Sequence, residues 1–263
     1  GLPGNRTTPL VVSIVSAAGM LIPKTSSRAI TSPAGTADTL ETLFNVDFQL
    51  AEMKEIVSKT GACMIWGGAV NLSPADDLMI RIERELDIDG EGQLIAGSTH
   101  VIIDIPVGDT AKVRSTVEAD YLASLFSQVG AACGLQVRCL LTDGSKPVGT
   151  GIGPVEEARD LLAVLKGEEG APEDLKERAI DLAGNLFDMA EQFGLFSGQR
   201  KARSILDSGQ AWEQFQRIAE AQGGLKSLPA AKFEEIQQSP RTGIVQSIDN
   251  RRLARLAKLA GAP

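Results

Sequence analysis

Residues 99–141, THVIIDIPVGDTAKVRSTVEADYLASLFSQVGAACGLQVRCLL, decide the fold. The run Thr99–Val107 carries Val101, Ile102, Ile103 and Ile105 and ends on Pro106 and Gly108, the pattern of a central parallel strand. A helix follows. Ser115 and Glu118 stand in capping-box spacing at its start, Tyr121, Leu122, Leu125, Phe126 and Val129 form its apolar face, and Gly134 ends it. Leu135–Leu141 then reads as a second buried strand. Strand, helix and strand in this order make a β-α-β unit, and with it an α/β fold.

The flanking segments agree with that class. Pro9–Gly19 is apolar nearly all round; its length and closing glycine favour a buried helix, with Thr7 or Thr8 as its N-cap. Met20–Pro23 looks like a strand. Leu50–Lys59 has helical spacing through Met53, Ile56 and Val57, and Ala62–Trp66 is a short buried strand ending at Gly67-Gly68. Pro154 and Pro172 stand where the first residue of a helix belongs, and 171–223 is helical with a break near Gly194–Gly198. Beyond Leu228 the composition turns short and polar, with Thr242–Ser247 expected as one strand and Asn250–Leu259 as one helix. Such a tail cannot bury a core of its own, so 1–228 reads as one domain and 229–263 as the start of a second, truncated one. The opening Gly1-Leu2-Pro3-Gly4, without methionine, suggests a fragment or a processed product.

Composition narrows the function. The formal net charge of -8 over 263 residues, without a basic stripe interleaved with aromatics, argues against nucleic acid as a partner. A small anion stays open, because backbone N–H groups and helix N-termini bind anions without a basic protein. The three cysteines, Cys63, Cys133 and Cys139, form no C-x-x-C pair and suit a reduced, cytoplasmic compartment. With His100 as the single histidine, most zinc sites and triads are removed, and inside its apolar run it reads as structural rather than catalytic. No uncharged apolar stretch reaches the roughly 18 to 20 residues of a membrane span, and the chain opens without the charged region of a signal peptide.

The densest functional signal is Thr25–Thr36, TSSRAITSPAGT, which gathers hydroxyls, a guanidinium and backbone donors in one loop suited to phosphate. A surface loop that caps a helix starting near Thr36 fits the same composition. Residues 1–8, GLPGNRTT, lead into a helix N-terminus and form a second candidate anion site, though not a Walker motif. Gly149-x-Gly151-x-Gly153 lacks the strand-turn-helix setting of a dinucleotide fingerprint. Asp87-Ile88-Asp89-Gly90 has its glycine misplaced for a calcium loop and reads as an acidic turn.

At residues 25–41, TSSRAITSPAGTADTLE, the chain resembles the thymidine (pyrimidine-nucleoside) phosphorylase family, and within it the AMP phosphorylase-like branch and bacterial relatives that carry a thymidine phosphorylase name. The similarity continues through GLPGNRTT (1–8), MIWGGAVNLSPADD (64–77), IDIPVGDTAK (103–112), LLTDG (140–144) and DNRRLARLAKLAGAP (249–263), covering essentially the whole chain in order. It implies a nucleoside phosphorylase/phosphoribosyltransferase-like catalytic domain, with a mostly parallel sheet flanked by helices and the beginning of a small α+β C-terminal domain. It also implies phosphorolysis: phosphate attacks the anomeric carbon as the base leaves, with inorganic phosphate as co-substrate, no cofactor, no metal, and a homodimeric protein. Matched by position, Gly1, Ser27, Arg28, Ala29, Ile30, Thr31, Ser32, Thr36 and Lys112 would line the substrate and phosphate site, joined by Thr8 and Ser26 as phosphate contacts of the thymidine enzymes. Asp89 matches the proton donor of AMP phosphorylases, a role that needs burial or a neighbouring carboxylate, Asp87 or Glu91, to raise its pKa.

Three departures stand against the family pattern. The Lys-His-Ser stretch that precedes the first glycine loop is not in the chain. Ala96 passes directly to Gly97-Ser98-Thr99 where the family has a base-contacting helix, so the expectation is a break in the chain there. The N-terminal helical part and most of the C-terminal domain also lie outside this sequence. Nucleosides and nucleoside 5′-monophosphates compete as substrates, with SSRAITSPAGT favouring the monophosphate branch. A catalytically silent phosphate- or nucleotide-binding homologue is the alternative, and a phosphoribosyltransferase a more distant one.

Overall fold

The computed structural model describes residues 2–29, 32–70, 98–190 and 197–263. Its elements are α1 (Thr7–Ala17), β1 (Ile22–Ser26), α2 (Thr36–Glu41), α3 (Leu50–Thr60), β2 (Ala62–Trp66), α4 (Gly67–Val70), β3 (His100–Val107), α5 (Thr116–Ala132), β4 (Gln136–Asp143), α6 (Pro154–Lys166), α7 (Glu173–Ala190), α8 (Ser197–Asp207), α9 (Gln210–Ala221) and α10 (Asn250–Leu259). Among the described residues the strands form two parallel pairs. Strand β1 lies beside β2 in the register Ile22–Ala62 to Ser26–Trp66, and β3 beside β4 in the register His100–Gln136 to Val107–Asp143. The β-α-β order read in 99–141 is what the structure contains, but the strand expected to be buried at Leu135–Leu141 is not: β4 alternates half-buried and exposed residues, with Leu141 exposed, because it lies at the edge of its pair beside β3.

Helix α1 is apolar on every side because it is the centre of the core. Leu10, Val12 and Ile14 are sealed, and α6, α7, α8, α9 and β2 pack around it. Phe44 meets Phe215 edge-on at 5.7 Å, and Trp212 stacks on Phe215 at 5.9 Å. Helices α7 and α8 cross closely at Gly184 and Gly198, where a Cβ on Gly198 would come 2.0 Å from the Gly184 carbonyl oxygen.

One side chain substitutes for a strand. The Gln222 amide, fully buried, accepts from Met64 N at 2.9 Å and donates to Met64 O and Asn45 O, each at 2.9 Å. It completes the outer edge of β2 where no further backbone pairs with Met64.

Several expectations need correction. Arg6, not Thr7 or Thr8, is the N-cap of α1, without a side-chain cap; the Thr7 hydroxyl is turned onto the Asn5 amide oxygen instead. The strand expected at Met20–Pro23 begins at Ile22 and runs to Ser26, since its pairing partner β2 begins opposite Ile22. Ser115 caps α5 by accepting from Glu118 N at 3.2 Å, but the Glu118 carboxylate accepts from Arg114 N rather than closing the box on Ser115. Of the face read on α5, Leu122 and Phe126 are half-buried while Tyr121, Leu125 and Val129 are exposed, because the buried stripe on β3 and β4 is centred on Ala119 and Gly130. Thr242–Ser247 is not a strand: it is irregular and exposed throughout, with no pairing partner. His100 stands at the first position of β3, half-buried, with Nδ1 2.9 Å from the Thr99 hydroxyl.

Replacing Gln222 by leucine strands one donor and two acceptors that only this amide reaches. The Gln222→Leu protein is expected to lose about 2–4 kcal/mol of unfolding free energy in urea denaturation, whereas a neutral result would show that β2 does not need this edge.

Candidate active site

The described residues singled out from the sequence stand at the carboxyl end of a strand, near the amino ends of helices or in the turn after a strand, places where α/β proteins bind ligands. Ser26 ends β1, Thr36 opens α2, Thr8 is the second residue of α1, and Lys112 lies in the turn after β3. That turn is closed by Gly108 N donating to Val113 O at 3.1 Å and Ala111 N to Gly108 O at 2.9 Å. Gly1, Ile30, Thr31 and Asp89, with Asp87, Glu91 and the Ala96–Gly97 junction, lie outside the described residues.

The loop between β1 and α2 is built around Asp38. Its Oδ2 accepts from Ala29 N at 2.6 Å and from Gly35 N at 2.9 Å, tying the two arms of the loop together. Ala37 N donates to Ser27 O at 3.3 Å, and the Ser32 hydroxyl to Ala34 O at 2.8 Å. Gly35 is required by close approach: a Cβ there would stand 2.5 Å from Ser27 O and from the Arg28 carbonyl carbon. The Ser26 hydroxyl is sealed and, among the described residues, has no hydrogen-bond partner. An unmade bond of this kind costs about 1–3 kcal/mol and is the sort of group a ligand satisfies.

Arg28 is held rather than loose. It forks onto Glu41 at 2.6 and 2.9 Å, reaches Asp38 at 3.3 Å and lies 4.7 Å over the Trp66 ring. Hydrogen bonding to Glu41 raises the guanidinium pKa, and the same bonds hold the Glu41 carboxyl below the usual glutamate range.

Beneath this loop lies an ion pair that sequence reasoning missed. Arg6 and Glu157 are 5% and 0% exposed, and Arg6 Nε binds Glu157 Oε2. Arg6 Nη2 donates to Ala34 O at 2.6 Å and Nη1 to the Thr36 hydroxyl at 2.9 Å. Glu157 Oε1 accepts from Gly4 N at 3.3 Å and Gly153 N at 3.1 Å. The pair thus joins the 2–6 turn, the amino end of α2 and the amino end of α6. Breaking such a pair by removing one partner costs about 3–5 kcal/mol. A pairing 151 residues apart leaves no local signal; in the sequence Glu157 is one more acid in the first turn of a helix.

The glycine turn 149–153 is filled in the same way. Asp160 Oδ2 accepts from Thr150 N and Gly151 N, both at 2.7 Å, and Asp174 accepts from Gly149 N at 3.1 Å. With Glu157 on Gly153, carboxylates of this chain occupy the donors that a dinucleotide phosphate would need. Beside it, Arg178 binds Asp104 of β3 with both Nε and Nη2, and the Thr142 hydroxyl donates to Asp104 Oδ1 at 2.5 Å. Asn5 Nδ2 reaches the same carboxylate at 3.5 Å, linking the 2–6 turn to β3.

Two clefts lie away from these loops. One, of about 430 Å³, is lined by Thr142, Asp143, Arg178, Asp181 and Gln199 among others, and one of about 480 Å³ lies between the ends of α6 and α8. Neither cleft is lined by residues of the 26–36 loop. Among the described residues no three His, Cys, Asp or Glu side chains group as metal ligands, and no helix is long and apolar enough to cross a membrane.

Residues 5–91 match the family described as "Glycosyl transferase family, a/b domain". The whole chain is 56% identical to a protein named "Putative thymidine phosphorylase" from Tolumonas auensis, of which it covers 54%, and 56% identical to one of that name from Parvibaculum lavamentivorans, again covering 54%. The chain therefore spans about half the length of the curated relatives it matches. These alignments run over 272 positions against the chain's 263 residues, so at least nine positions face no residue of this chain. Among solved structures, anthranilate phosphoribosyltransferase from Thermus thermophilus superposes with a TM-score of 0.64 at 20% identity, covering 84% of this chain and 74% of that one. A variant of the Saccharomyces cerevisiae enzyme superposes at 0.58 with 12% identity, covering 84% of this chain and 70% of that one. The fold is that of the phosphoribosyltransferases and nucleoside phosphorylases, as expected from the motifs.

Two outcomes test this geometry. Asp38→Ala removes the acceptor shared by two loop amides and is expected to cost about 2–4 kcal/mol in chemical denaturation; an unchanged midpoint would remove Asp38 from the loop's support. The Glu41 carboxyl, lowered in the folded state, contributes stability that is complete above its unfolded pKa of about 4.3 and is lost as pH falls through the lowered value. The Arg28 and Glu41 side chains are 36% and 45% exposed, so the contribution stays below about 1 kcal/mol. The stability gap between wild type and Glu41→Gln is expected at pH 7 and should close as the pH falls below the lowered glutamate value; a gap that persists in strong acid would show another origin.

Proposed function

We propose, from this chain's homology along its whole length with proteins named "Putative thymidine phosphorylase" and its glycosyl transferase domain, that the protein is a pentosyltransferase acting by phosphorolysis. An oxygen of inorganic phosphate bonds to the anomeric carbon, the N-glycosidic bond breaks, and the base leaves with a proton. The products are a free base and ribose or deoxyribose 1-phosphate.

The observation that carries this reading is the hydroxyl-rich loop 26–36 at the carboxyl end of β1, closed on itself by Asp38 and opening onto the amino end of α2. Backbone donors and hydroxyls at such a place suit an anion. In phosphorolysis, positive charge grows on the sugar and negative charge on the base, so an anchored phosphate and an acid near the base both lower the barrier. Ser26, Ser27, Arg28, Ala29, Ile30, Thr31, Ser32 and Thr36, with Gly1, Thr8 and Lys112, are proposed to line the site, and Asp89 to give the leaving base its proton. No cofactor is invoked. The fold alone serves phosphoribosyltransferases as well; the 56% identity, not the superposition, favours the phosphorylase.

The substrate is a nucleoside or a nucleoside 5′-monophosphate, and the protein is proposed to work in the cytoplasm as a homodimer. Residues 229–263 are read as the start of a C-terminal domain; 229–248 carry neither helix nor strand and are exposed.

The test is base release from thymidine, CMP and AMP by the full-length protein, with and without phosphate. Phosphate-dependent release is expected from at least one of them, and Asp89→Asn should lower kcat by about 10²-fold or more. Binding of substrate without release in any of the three would replace the enzyme by a silent nucleotide-binding homologue.

A further inference from the structure

We infer that Arg6 and Glu157 are positioning residues, a buried pair that sets the phosphate-receiving shape of the β1–α2 loop without touching the substrate; this rests on the phosphorolytic reading of that loop. Arg6 has three nitrogens directed at three acceptors on two segments: Nε at Glu157 on α6, Nη2 at Ala34 O and Nη1 at the Thr36 hydroxyl, both at the amino end of α2. Thr36 is itself a proposed phosphate contact and the first residue of α2, so the guanidinium fixes the orientation of a ligand-facing hydroxyl from behind.

Glu157 holds the opposite side. It accepts from Gly4 N and Gly153 N, and Gly4 has no room to shift: its φ is +75°, and a Cβ there would stand 1.9 Å from Val148 O. The 2–6 turn is therefore locked against α6, and Arg6, the last residue of that turn, carries the constraint to Ala34 and Thr36. Gly35, between those two, packs against the Ser27–Ala29 arm so tightly that displacement of one arm displaces the other. Burial of both ends and mutual neutralisation make Arg6 a poor phosphate ligand and a good brace. Lysine cannot replace it, because one ammonium cannot reach three acceptors in a fixed fork.

The experiment uses the full-length protein with three variants, Arg6→Lys, Glu157→Gln and the double Arg6→Met/Glu157→Gln. Thermal unfolding, titration with inorganic phosphate, and hydrogen exchange at the amides of Ala29, Gly35 and Ala37 are measured on each. Arg6→Lys keeps the buried charge pair, so it is expected to fold, to bind phosphate about tenfold or more weakly, and to exchange those amides about tenfold faster. Glu157→Gln alone leaves a buried unpaired cation and is expected to be the least stable. The double variant removes both charges and keeps an amide oxygen for Gly4 N and Gly153 N. It should regain the thermal stability lost in Glu157→Gln but not the phosphate affinity.

Two results overturn the inference: a folded Arg6→Lys protein with wild-type phosphate affinity and unchanged loop exchange, or a double variant that recovers affinity together with stability, as a purely structural pair would. If the wild-type protein binds no phosphate, the phosphorolytic reading of the loop fails. The exchange rates at Ala29, Gly35 and Ala37 then still decide whether the pair holds the loop.

Discussion

The site depends on one buried ion pair. Arg6 and Glu157 stand 151 residues apart in the chain, and taking both charges out of water is costly unless each finds further partners. Both do. Arg6 spends its remaining donors on the amino end of α2, and Glu157 its second oxygen on two glycine amides. The arrangement converts a desolvation cost into a fixed geometry for three turns. A pair of apolar side chains could fill the same volume but could not orient Thr36 or the Gly4 turn.

The same device recurs around it. Asp38 fills the β1–α2 loop, Asp160 and Asp174 fill the 149–153 turn, and Arg178 neutralises Asp104 under the end of β3. An acidic chain thus uses part of its carboxylates internally, as acceptors for backbone N–H groups that turns leave unpaired. The division also separates the two stretches that the sequence offers as phosphate loops, one glycine-rich and one hydroxyl-rich. In 149–153 the amides are taken by the protein's own acids. In 26–36 the Asp38 carboxylate closes the base of the loop, while the Ser26 hydroxyl finds no partner among the described residues.

Much of the fold was legible because it is local. Ala62–Trp66 and Asn250–Leu259 carry their boundaries in glycine, aspartate and apolar spacing, and both occur as read. The β-α-β unit was legible for the same reason. Periodicity failed where tertiary context decides: the apolar stripe of α5 through Tyr121, Leu125 and Val129 is real, but the helix turns its small residues Ala119 and Gly130 to the strands instead. Thr242–Ser247 has strand-forming residues and no neighbour to pair with. The candidate site was proposed from motifs; the supports of its loop, Arg6, Asp38 and Glu157, and Gln222 on the edge of β2, were not legible. Each is an ordinary polar residue until the partner that buries it is known, and for Glu157 and Gln222 that partner is more than 150 residues away.

The central claim, that an internal ion pair shapes a loop whose hydroxyls and amides bind phosphate, is tested most directly by a crystal structure of the full-length protein with inorganic phosphate bound. The account predicts the anion at the amino end of α2, within hydrogen-bond distance of the Ser26 and Thr36 hydroxyls, with Arg6 still on Glu157. An anion bound elsewhere, or an Arg6 guanidinium that leaves Glu157 to hold it, would contradict the account.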